Sequence, residues 1–281
     1  MVGVIKIVDI NRRDLMKKRA DVLLFERGLV DSREKAKRVI MEGVVFIGAK
    51  RIDKPGDRID IDSAIRIKEN PIKFVSRGGL KLEKAIKDFN IDLDGSIAMD
   101  IGASTGGFTD CMLQKGAQKV YAVDVGYGQL DWKLRQDPRV IVKERTNIRY
   151  VTREDIPELL DFIAIDVSFI SLTLVLPVAK ELLSDGQDMV ALIKPQFEAG
   201  REKVGKKGVV RDQTVHFEVI KSISDYCNTI GLRMIGLGFS PIVGAMGNIE
   251  FLAHITNNKQ GKSIEDESIS QVVREAHDVL Q

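Results

Sequence analysis

The sequence contains few of the residues that mark secreted or metal-binding proteins. Its 281 residues include two cysteines, Cys111 and Cys227, and three histidines. The cysteines lie far apart without C-x-x-C spacing, so we interpret them as buried or free thiols in a reducing compartment. The histidines, His216, His254 and His277, form no ligand pattern, which argues against a metal site.

Long apolar runs are also absent. No stretch reaches the ~20 apolar residues that a membrane-spanning helix needs, and no apolar N-terminal core precedes a cleavage site. We therefore expect a cytoplasmic protein without a membrane partner, and a monomer is favoured. The hydrophobic content of 44% is sufficient for a core, and the length suits one large or two smaller domains.

Charge is unevenly distributed, although the formal net charge is only +2. Residues 1–73 contain 18 Lys and Arg against 12 Asp and Glu, whereas acidic residues are in excess over the rest of the chain. A basic segment attached to a mildly acidic body is typical of a module that binds a polyanion. An ordinary solvated basic surface is the alternative, and charge alone does not separate the two.

The first 66 residues have the pattern of a small α+β unit. Helical periodicity and glycine stops predict two helices, and short apolar runs between turns predict strands. The helices are expected over 15–27 and 34–42, with an N-cap at Asp31-Ser32, and the strands at 44–47, 59–61 and 65–67. Residues 1–14 could form a short strand or a mobile arm. We place this domain at 15–66 and a linker, containing Pro71, at 67–75.

Several basic residues of this unit lie off the apolar sides of its predicted helices or on turns. Positive charges on a rigid surface can bind phosphates in a salt-sensitive and largely sequence-independent way. The segments Arg19-Ala20-Asp21, 32–37 and 54–57 resemble the small RNA-binding domain named after ribosomal protein S4. The resemblance covers about 18–66 and implies RNA binding through these residues: Arg19, Arg33, Lys37, Arg38, Lys50 and Arg51.

From residue 76 onward, strands alternate with helices, which predicts an α/β domain with a largely parallel sheet. We expect a Rossmann-like sheet of seven strands, the last antiparallel, within a domain at 76–256. A linker and helix follow at 257–281. The strands are predicted at 96–101, 119–124, 140–142, 162–166, 189–195, 234–239 and 249–253. The helices are predicted at 76–89, 171–183, 214–230 and 264–280.

A glycine-rich turn follows the first of these strands. Residues 100–107 have the pattern D-x-G-x-x-x-G-G, with Ser104 where a dinucleotide fingerprint has its second glycine. This spacing disfavours a dehydrogenase and resembles the first motif of class I S-adenosylmethionine-dependent methyltransferases. Asp124 ends the second strand, where an acid commonly binds ribose hydroxyls. A Gly-rich connection without a ligand is the alternative. The expected cofactor contacts are Asp100, Gly102, Ala103, Ser104, Thr105, Gly106, Gly107, Phe108, Asp124, Val125, Asn147 and Asp166.

Four further charged residues are expected to meet at the carboxyl edge of the sheet. Asp166 and Lys194 end the fourth and fifth strands, and Glu250 begins an apolar strand that reaches the same edge if it runs antiparallel. Lys81 lies on the helix before the first strand and could reach this edge. Two lysines and two carboxylates in one cleft form either a catalytic cluster or a structural ion-pair network.

Lys81, Asp166, Lys194 and Glu250 resemble the Lys-Asp-Lys-Glu tetrad of FtsJ-like 2'-O-ribose methyltransferases. Together with the S4-type segment, five further motifs identify the chain as a member of the TlyA (haemolysin A) family. They are found at 102–109, 124–130, 144–147, 166–172 and 194–198. The resemblance implies methylation of cytidine ribose in ribosomal RNA, within ribosomal subunits and with S-adenosylmethionine as cofactor. No metal is implied.

Lys194 is expected to lie nearest the 2'-hydroxyl. A neutral lysine could accept its proton, and a cationic lysine could orient it and stabilise the developing charge. The basic segment 196–212 is predicted to be a lid that contacts RNA phosphates, with a disordered loop as the alternative. Two rival functions remain. One is a non-enzymatic RNA-binding or ribosome-assembly factor, and the other is a membrane-lytic protein, which the lack of an amphipathic apolar-cationic helix disfavours.

Overall fold

A computed structural model describes residues 17–30, 32–41, 43–67 and 73–280. The predictions for residues 1–14, for the Asp31 cap and for most of the linker lie outside these residues. The described residues divide into two compact units, and Lys73 begins the second. Each unit has a hydrophobic core of its own.

The described residues of the first unit form two helices and two small sheets. The antiparallel pairs are β1 with β4, and β2 with both β3 and β5. The elements are β1 (Lys17–Arg19), α1 (Ala20–Glu26), α2 (Arg33–Met41), β2 (Val45–Ile47), β3 (Lys50–Arg51), β4 (Arg58–Asp60) and β5 (Ile65–Ile67). Ala20, Leu24, Ala36, Ile40 and Val45 are buried between them.

The predicted helix over 15–27 is wrong at its start. Lys17–Arg19 are extended because their backbone pairs with β4, with Lys17 opposite Asp60. Helix α1 then begins at Ala20, whose N–H donates to the Asp57 carbonyl over 2.8 Å. A partner about 40 residues away in sequence therefore overrides the local helical pattern.

The second unit is built on a mixed seven-stranded sheet with the order β11-β12-β10-β9-β6-β7-β8. The strands are β6 (Ile97–Ile101), β7 (Lys119–Val123), β8 (Val140–Lys143), β9 (Leu160–Ile165), β10 (Leu183–Ile193), β11 (Arg233–Phe239) and β12 (Phe251–Thr256). β12 pairs antiparallel with both β10 and β11, whereas β6 to β10 pair in parallel. This confirms the predicted Rossmann-like sheet with its antiparallel last strand.

Helices cover both faces of this sheet. They are α3 (Gly78–Asp88), α4 (Gly107–Gln114), α5 (Trp132–Arg135), α6 (Leu176–Leu182), α7 (Pro195–Glu198), α8 (Gln213–Thr229) and α9 (Asp266–Leu280). Successive strand residues point to opposite faces: Ala98 packs in the core of α3 and α4, and Met99 in the core of α6, α8 and α9. Burial on both faces explains the nearly continuous apolar runs of the strands.

Two strand boundaries differ from the prediction, and the second of them affects the site. β10 begins at Leu183, with a register irregularity before Asp188, and β12 begins at Phe251, so Glu250 immediately precedes it. The Ser240 N–H donates to the Glu250 carbonyl over 2.9 Å and closes the β11–β12 hairpin there. Among the helices in the described ranges, none is long and apolar enough to cross a membrane.

Candidate active site

Glycine at position 102 is required by the crossing of two chain segments. Gly102 has a φ of +87°, and a Cβ atom there would lie 2.5 Å from the Asp166 carbonyl oxygen. Its N–H donates to the Val123 carbonyl over 2.9 Å, so the turn after β6 is tied to β7 as well. Only glycine combines this conformation with such close approach.

The rest of the turn is packed rather than open. Gly106 has a φ of +94° and caps α4, and a Cβ atom there would overlap the side chains of Leu130 and Leu134. The buried Asp100 Oδ2 accepts hydrogen bonds from Thr109 N (2.8 Å) and Thr109 Oγ1 (2.7 Å). Burial raises the pKa of Asp100 to about 7 against the effect of these bonds. Asp100 therefore fastens the first turn of α4 to the end of β6.

Asp124, at the end of β7, organises the same turn. Its Oδ2 accepts the Ser104 N–H over 2.7 Å, and its Oδ1 accepts the Gly126 N–H over 2.6 Å. Ser104 adopts a φ of +48°, which turns its N–H toward this carboxylate. Each oxygen retains a lone pair for a ligand hydroxyl. The structure adds a backbone-bracing role to the ribose-binding role that we predict for Asp124.

A cavity of about 730 Å³ opens at the carboxyl ends of β6, β7 and β9. Of the predicted cofactor residues, six line it: Gly102, Ser104, Asp124, Val125, Asn147 and Asp166. The other six do not, and most of them are buried in the turn and the start of α4: Asp100, Ala103, Thr105, Gly106, Gly107 and Phe108. A second cavity, of about 690 Å³, lies between residues 151–154 and α6 and contains no predicted site residue.

The large cavity suits a nucleoside-sized ligand. Its volume is typical of small-molecule sites, which span roughly 300–1,000 Å³. Asn147 Oδ1 is used to accept the Arg149 N–H over 3.1 Å, which leaves its Nδ2 as a donor at the cavity wall. Together with the Asp124 carboxylate, these groups match the polar edges of an adenosine, which presents both acceptors and hydroxyl donors.

The four predicted catalytic side chains form one contiguous cluster beside this cavity. Asp166 Oδ1 lies 2.5 Å from Lys194 Nζ, and Asp166 Oδ2 lies 3.8 Å from Lys81 Nζ. Lys81 Nζ in turn donates to Glu250 Oε2 over 2.6 Å. The order is therefore Lys194, Asp166, Lys81, Glu250, and of these four only Asp166 also lines the cavity.

Burial and charge act in opposite directions on Lys81. Burial alone would lower the pKa of its ammonium, but the carboxylates of Asp166 and Glu250 outweigh burial and raise the pKa above its ordinary value. Lys81 is therefore a permanent cation at neutral pH. The four charges cancel in pairs, which is how lysines with only 8% and 9% exposure at positions 81 and 194 are tolerated.

Two further residues near the tetrad carry roles that the sequence analysis does not assign. Lys194 Nζ also donates to Ser168 Oγ over 3.0 Å, and Ser168 lines the cavity. Glu198 accepts hydrogen bonds from the Leu172 N–H (2.8 Å) and Ser171 Oγ (2.7 Å), and burial raises its pKa. The loops after β9 and β10 are thereby joined. Both residues lie in motifs at 166–172 and 194–198, which was the available signal.

In the first unit, two of the predicted RNA-binding arginines flank one buried acid. Arg19 donates from Nε to Asp21 Oδ1 (2.9 Å) and from Nη2 to Oδ2 (3.1 Å), and Arg33 Nη2 donates to Asp21 Oδ2 over 3.2 Å. Hydrogen bonds from Arg19 lower the pKa of Asp21 to about 2. Both arginine side chains remain about half exposed, so their outer N–H groups face solvent.

The other predicted RNA-binding residues occupy α2 and β3. Lys37 is exposed one turn after Arg33, and Lys50 is exposed on β3. Arg51 pairs with Asp53 over 2.5 Å and packs against Gly43, just beyond α2. The side chain of Arg38 lies outside the described part of the structure. Within the described ranges, no group of three or more His, Cys, Asp or Glu could hold a metal ion.

Comparison with known families defines the class of the protein. The family described as "FtsJ-like methyltransferase" matches residues 74–256, and the family described as "S4 domain" matches residues 18–65. The chain belongs to the FtsJ-like methyltransferase family, since that match covers more than half of its length. This membership confirms the expected enzyme class and its methyl donor, S-adenosylmethionine.

Several known proteins are similar to this chain over most of its length. The chain is 56% identical over 268 residues to YqxC of Bacillus subtilis, a candidate rRNA methyltransferase, which covers 94% of this chain and 95% of that relative. It is 42% identical to the 16S/23S rRNA (cytidine-2'-O)-methyltransferase TlyA of Mycobacterium tuberculosis, covering 83% of this chain and 87% of that protein. A solved hemolysin candidate from Streptococcus thermophilus superposes with a TM-score of 0.76 at 50% identity, covering 94% and 96% of the two chains.

Proposed function

We propose that this protein transfers a methyl group from S-adenosylmethionine to the 2'-hydroxyl of a cytidine in ribosomal RNA, within a ribosomal subunit. The observation that carries the proposal is the position of Asp166. Its carboxylate lines the cofactor cavity, lies 2.5 Å from Lys194 Nζ and lies 3.8 Å from Lys81 Nζ. One side chain thus joins the site for the methyl donor to the lysines that would meet a ribose hydroxyl.

The relatives support the chemistry of the acceptor. The Mycobacterium tuberculosis relative is named as a cytidine-2'-O-methyltransferase of 16S and 23S rRNA, and a 34% identical Campylobacter jejuni relative as one of 23S rRNA. The tetrad residues are present in this chain and lie within one connected cluster. These observations favour ribose methylation of rRNA over a non-enzymatic assembly role.

Each residue of the tetrad has a distinct task in this proposal. Bound S-adenosylmethionine supplies a methyl group on a cationic sulfur, so the reaction depends chiefly on alignment and on a better nucleophile. Lys194 Nζ contacts the 2'-oxygen. As an amine it accepts the hydroxyl proton, and as an ammonium it stabilises the negative charge that develops on oxygen. Asp166 and Ser168 fix the position of Lys194 Nζ.

Lys81 and Glu250 stabilise Asp166 on the side away from Lys194. Lys81 is held by Glu250 over 2.6 Å, and its cation opposes the charge of Asp166 across 3.8 Å. This arrangement holds the Lys81 cation beside Asp166, next to a reacting centre that changes its own charge. The N-terminal unit, which matches the S4 domain, binds the RNA through the exposed edges of its basic residues.

The test is transfer of radiolabelled methyl groups to unmodified small and large ribosomal subunits. Wild-type protein should label rRNA, and Lys194→Ala should lower the rate about 10²–10⁴-fold, the usual effect of losing an acid–base group. Cofactor affinity, measured by calorimetry, should remain within about twofold, because Lys194 does not line the cavity. Lys119→Ala is the control. Lys119 is also ion-paired, but it lies at the amino end of β7, whereas the site lies at the carboxyl end of that strand.

Two results would contradict the proposal. If Lys194→Ala retained full activity, Lys194 would have no catalytic role. If wild-type protein bound the cofactor but labelled neither subunit nor their assembly precursors, an RNA-binding factor would be the better description.

A further inference from the structure

The segment between α7 and α8 is basic, and most of its basic side chains form no ion pair with another described residue. Residues 200–212 contain five basic and two acidic residues. Lys203 pairs with Glu218 over 2.5 Å, and Asp212 caps α8 by accepting the Thr214 N–H over 2.8 Å. The other four basic side chains are exposed: Arg201, Lys206, Lys207 and Arg211.

The two lysines among them, Lys206 and Lys207, lie at the tip of a closed turn. The Gly208 N–H donates to the Gly205 carbonyl over 2.8 Å, and the Gly205 N–H donates to the Val209 carbonyl over 3.1 Å. Lys206 and Lys207 are therefore the two central residues of a hydrogen-bonded β-turn. Gly208 permits the turn because its φ is +72°.

A buried asparagine fixes this turn relative to the tetrad. Asn248 is 2% exposed; its Oδ1 accepts the Val210 N–H over 3.1 Å, and its Nδ2 donates to the Gly208 carbonyl over 2.9 Å. Asn248 stands two residues before Glu250, whose carboxylate pairs with Lys81. The turn is thus tied, through one side chain and two peptide bonds, to the tetrad itself.

The tetrad cannot attract a polyanion by its own charge. Lys81 and Lys194 are each ion-paired to a carboxylate, so the four side chains carry no net positive charge. A phosphate backbone that approaches this edge must be held by other cations. Lysines at the tip of an anchored turn supply that charge at a fixed position, which is what phosphate contacts need to set the register of a strand.

We propose that the turn formed by Gly205, Lys206, Lys207, Gly208 and Val209 is a phosphate-binding contact for the RNA strand that delivers its ribose to the tetrad. The inference rests on the proposed function and adds to it a second RNA contact, on the methyltransferase unit. Asn248 is its positioning residue, since it holds the turn and touches no substrate. The turn acts as a fixed arm beside the tetrad.

The decisive variant is Lys206→Gln/Lys207→Gln in the full-length protein, assayed with unmodified ribosomal subunits. The KM for the subunit should rise about tenfold, with kcat and cofactor affinity unchanged, because phosphate contacts add binding without altering the reacting atoms. Loss of two phosphate contacts should also reduce the slope of log affinity against log salt by about 1.4–1.8.

The matched control is Lys259→Gln/Lys262→Gln, which removes the same charge from another exposed loop. That loop follows β12, so it begins about 20 Å from Glu250, given ~3.3 Å per strand residue. Its KM and salt slope should match the wild type. Equal effects from both double variants would mean that only net charge matters, and would overturn the inference.

Asn248→Ala separates position from charge. It leaves both lysines in place but removes the anchor, so the KM for the subunit should rise while the salt slope stays near the wild-type value. An unchanged KM in a folded Asn248→Ala protein would remove the positioning role. If that variant does not fold, Asn248→Gln, which keeps the amide on a longer side chain, replaces it.

The inference and the proposed function fail in different ways. If wild-type protein methylates subunits and Lys206→Gln/Lys207→Gln has normal KM and salt slope, only the inference is wrong. If wild-type protein methylates nothing, the proposed function is wrong. Binding of the same subunits across a salt series still decides whether the turn contacts RNA: a reduced slope in the lysine variant supports it, and an unchanged slope overturns it.

Discussion

Glu250 Oε2 lies 2.6 Å from Lys81 Nζ, and both residues are buried. Lys81 lies on α3, the first helix in the described part of its unit, and Glu250 immediately precedes β12. The pair therefore links a helix near the beginning of the methyltransferase unit to the residue that precedes the last strand of its sheet. A charge pair so well buried is costly to break from one side, because the remaining charge has no adequate partner.

Glu250→Ala should lower the free energy of unfolding by about 3–5 kcal/mol, the usual cost of stranding a buried charge. Lys81 would keep only Asp166, at 3.8 Å. The measurement is urea unfolding at pH 7. The double variant Lys81→Met/Glu250→Leu should recover most of the stability without recovering activity. If the double variant were as unstable as Glu250→Ala, lost packing rather than a stranded charge would be the cause.

Gly106→Ala should destabilise the second unit by about 3 kcal/mol or more and abolish cofactor binding, since overpacking adds to the backbone strain. The added methyl group would overlap Leu130 and Leu134. Gly186→Ala is the control: Gly186 also has a positive φ, of +78°, but has open space around its Cβ position. It should cost only about 1–2 kcal/mol. Calorimetric melting and cofactor titration measure both, and equal losses would refute the steric argument.

Asp100 should make the stability of the second unit depend on pH. Its pKa rises from an ordinary 3.8 to about 7 in the fold, so the folded protein holds this proton more tightly than the unfolded chain does. The contribution is complete below pH 3.8 and is lost as the pH rises to 7. Asp100→Asn cannot ionise, so its melting temperature relative to wild type should increase between pH 5 and pH 7 and level off above that, without cofactor. A constant difference would contradict this.

Variants of the N-terminal unit should distinguish residues that contact only RNA from residues that also stabilise the fold. Lys37→Gln/Lys50→Gln should weaken binding to ribosomal subunits and reduce the salt slope by about 1.4–1.8, with unfolding unchanged. Arg19→Gln should in addition destabilise the unit by about 1.5–3 kcal/mol, because Asp21 would lose charged hydrogen bonds while 0% exposed. Pulse proteolysis in urea, with cleavage sites mapped, reports this unit. Equal stability of the two variants would argue against the Asp21 role.

The sheet was predictable because its strands are buried on both faces and read as apolar runs that end in charged residues. Asp166 and Lys194 could be placed at one edge for that reason. The start of α1 could not be predicted, because Lys17–Arg19 become extended only by pairing with β4. Local periodicity contains no information about such a distant partner.

The finer geometry of the site was less accessible. The hydrogen bond from the Ser104 N–H to Asp124 is made by a serine with a positive φ, a conformation that its residue type does not predict. The link between Lys194 and Ser168 depends on β9 and β10 being neighbours in the sheet. Motif spacing identifies the segments that meet, but the atoms that touch are decided by strand order and backbone angles.

The antiparallel last strand limits where insertions and deletions can be accepted. β12 pairs with β10 and with β11 up to Phe251, and its pairing with β11 has one register shift, between Met234 and Gly236. Glu250 stands immediately before the paired part. One residue inserted between Glu250 and Phe251 would turn the carboxylate to the other face of the sheet, since alternate strand residues face opposite ways. The exposed tip of this hairpin, around Val243 and Met246, lies outside the paired parts of β11 and β12. Length changes in natural or engineered variants should therefore accumulate at that tip, while the segment from Asn248 to Thr256 keeps a constant length.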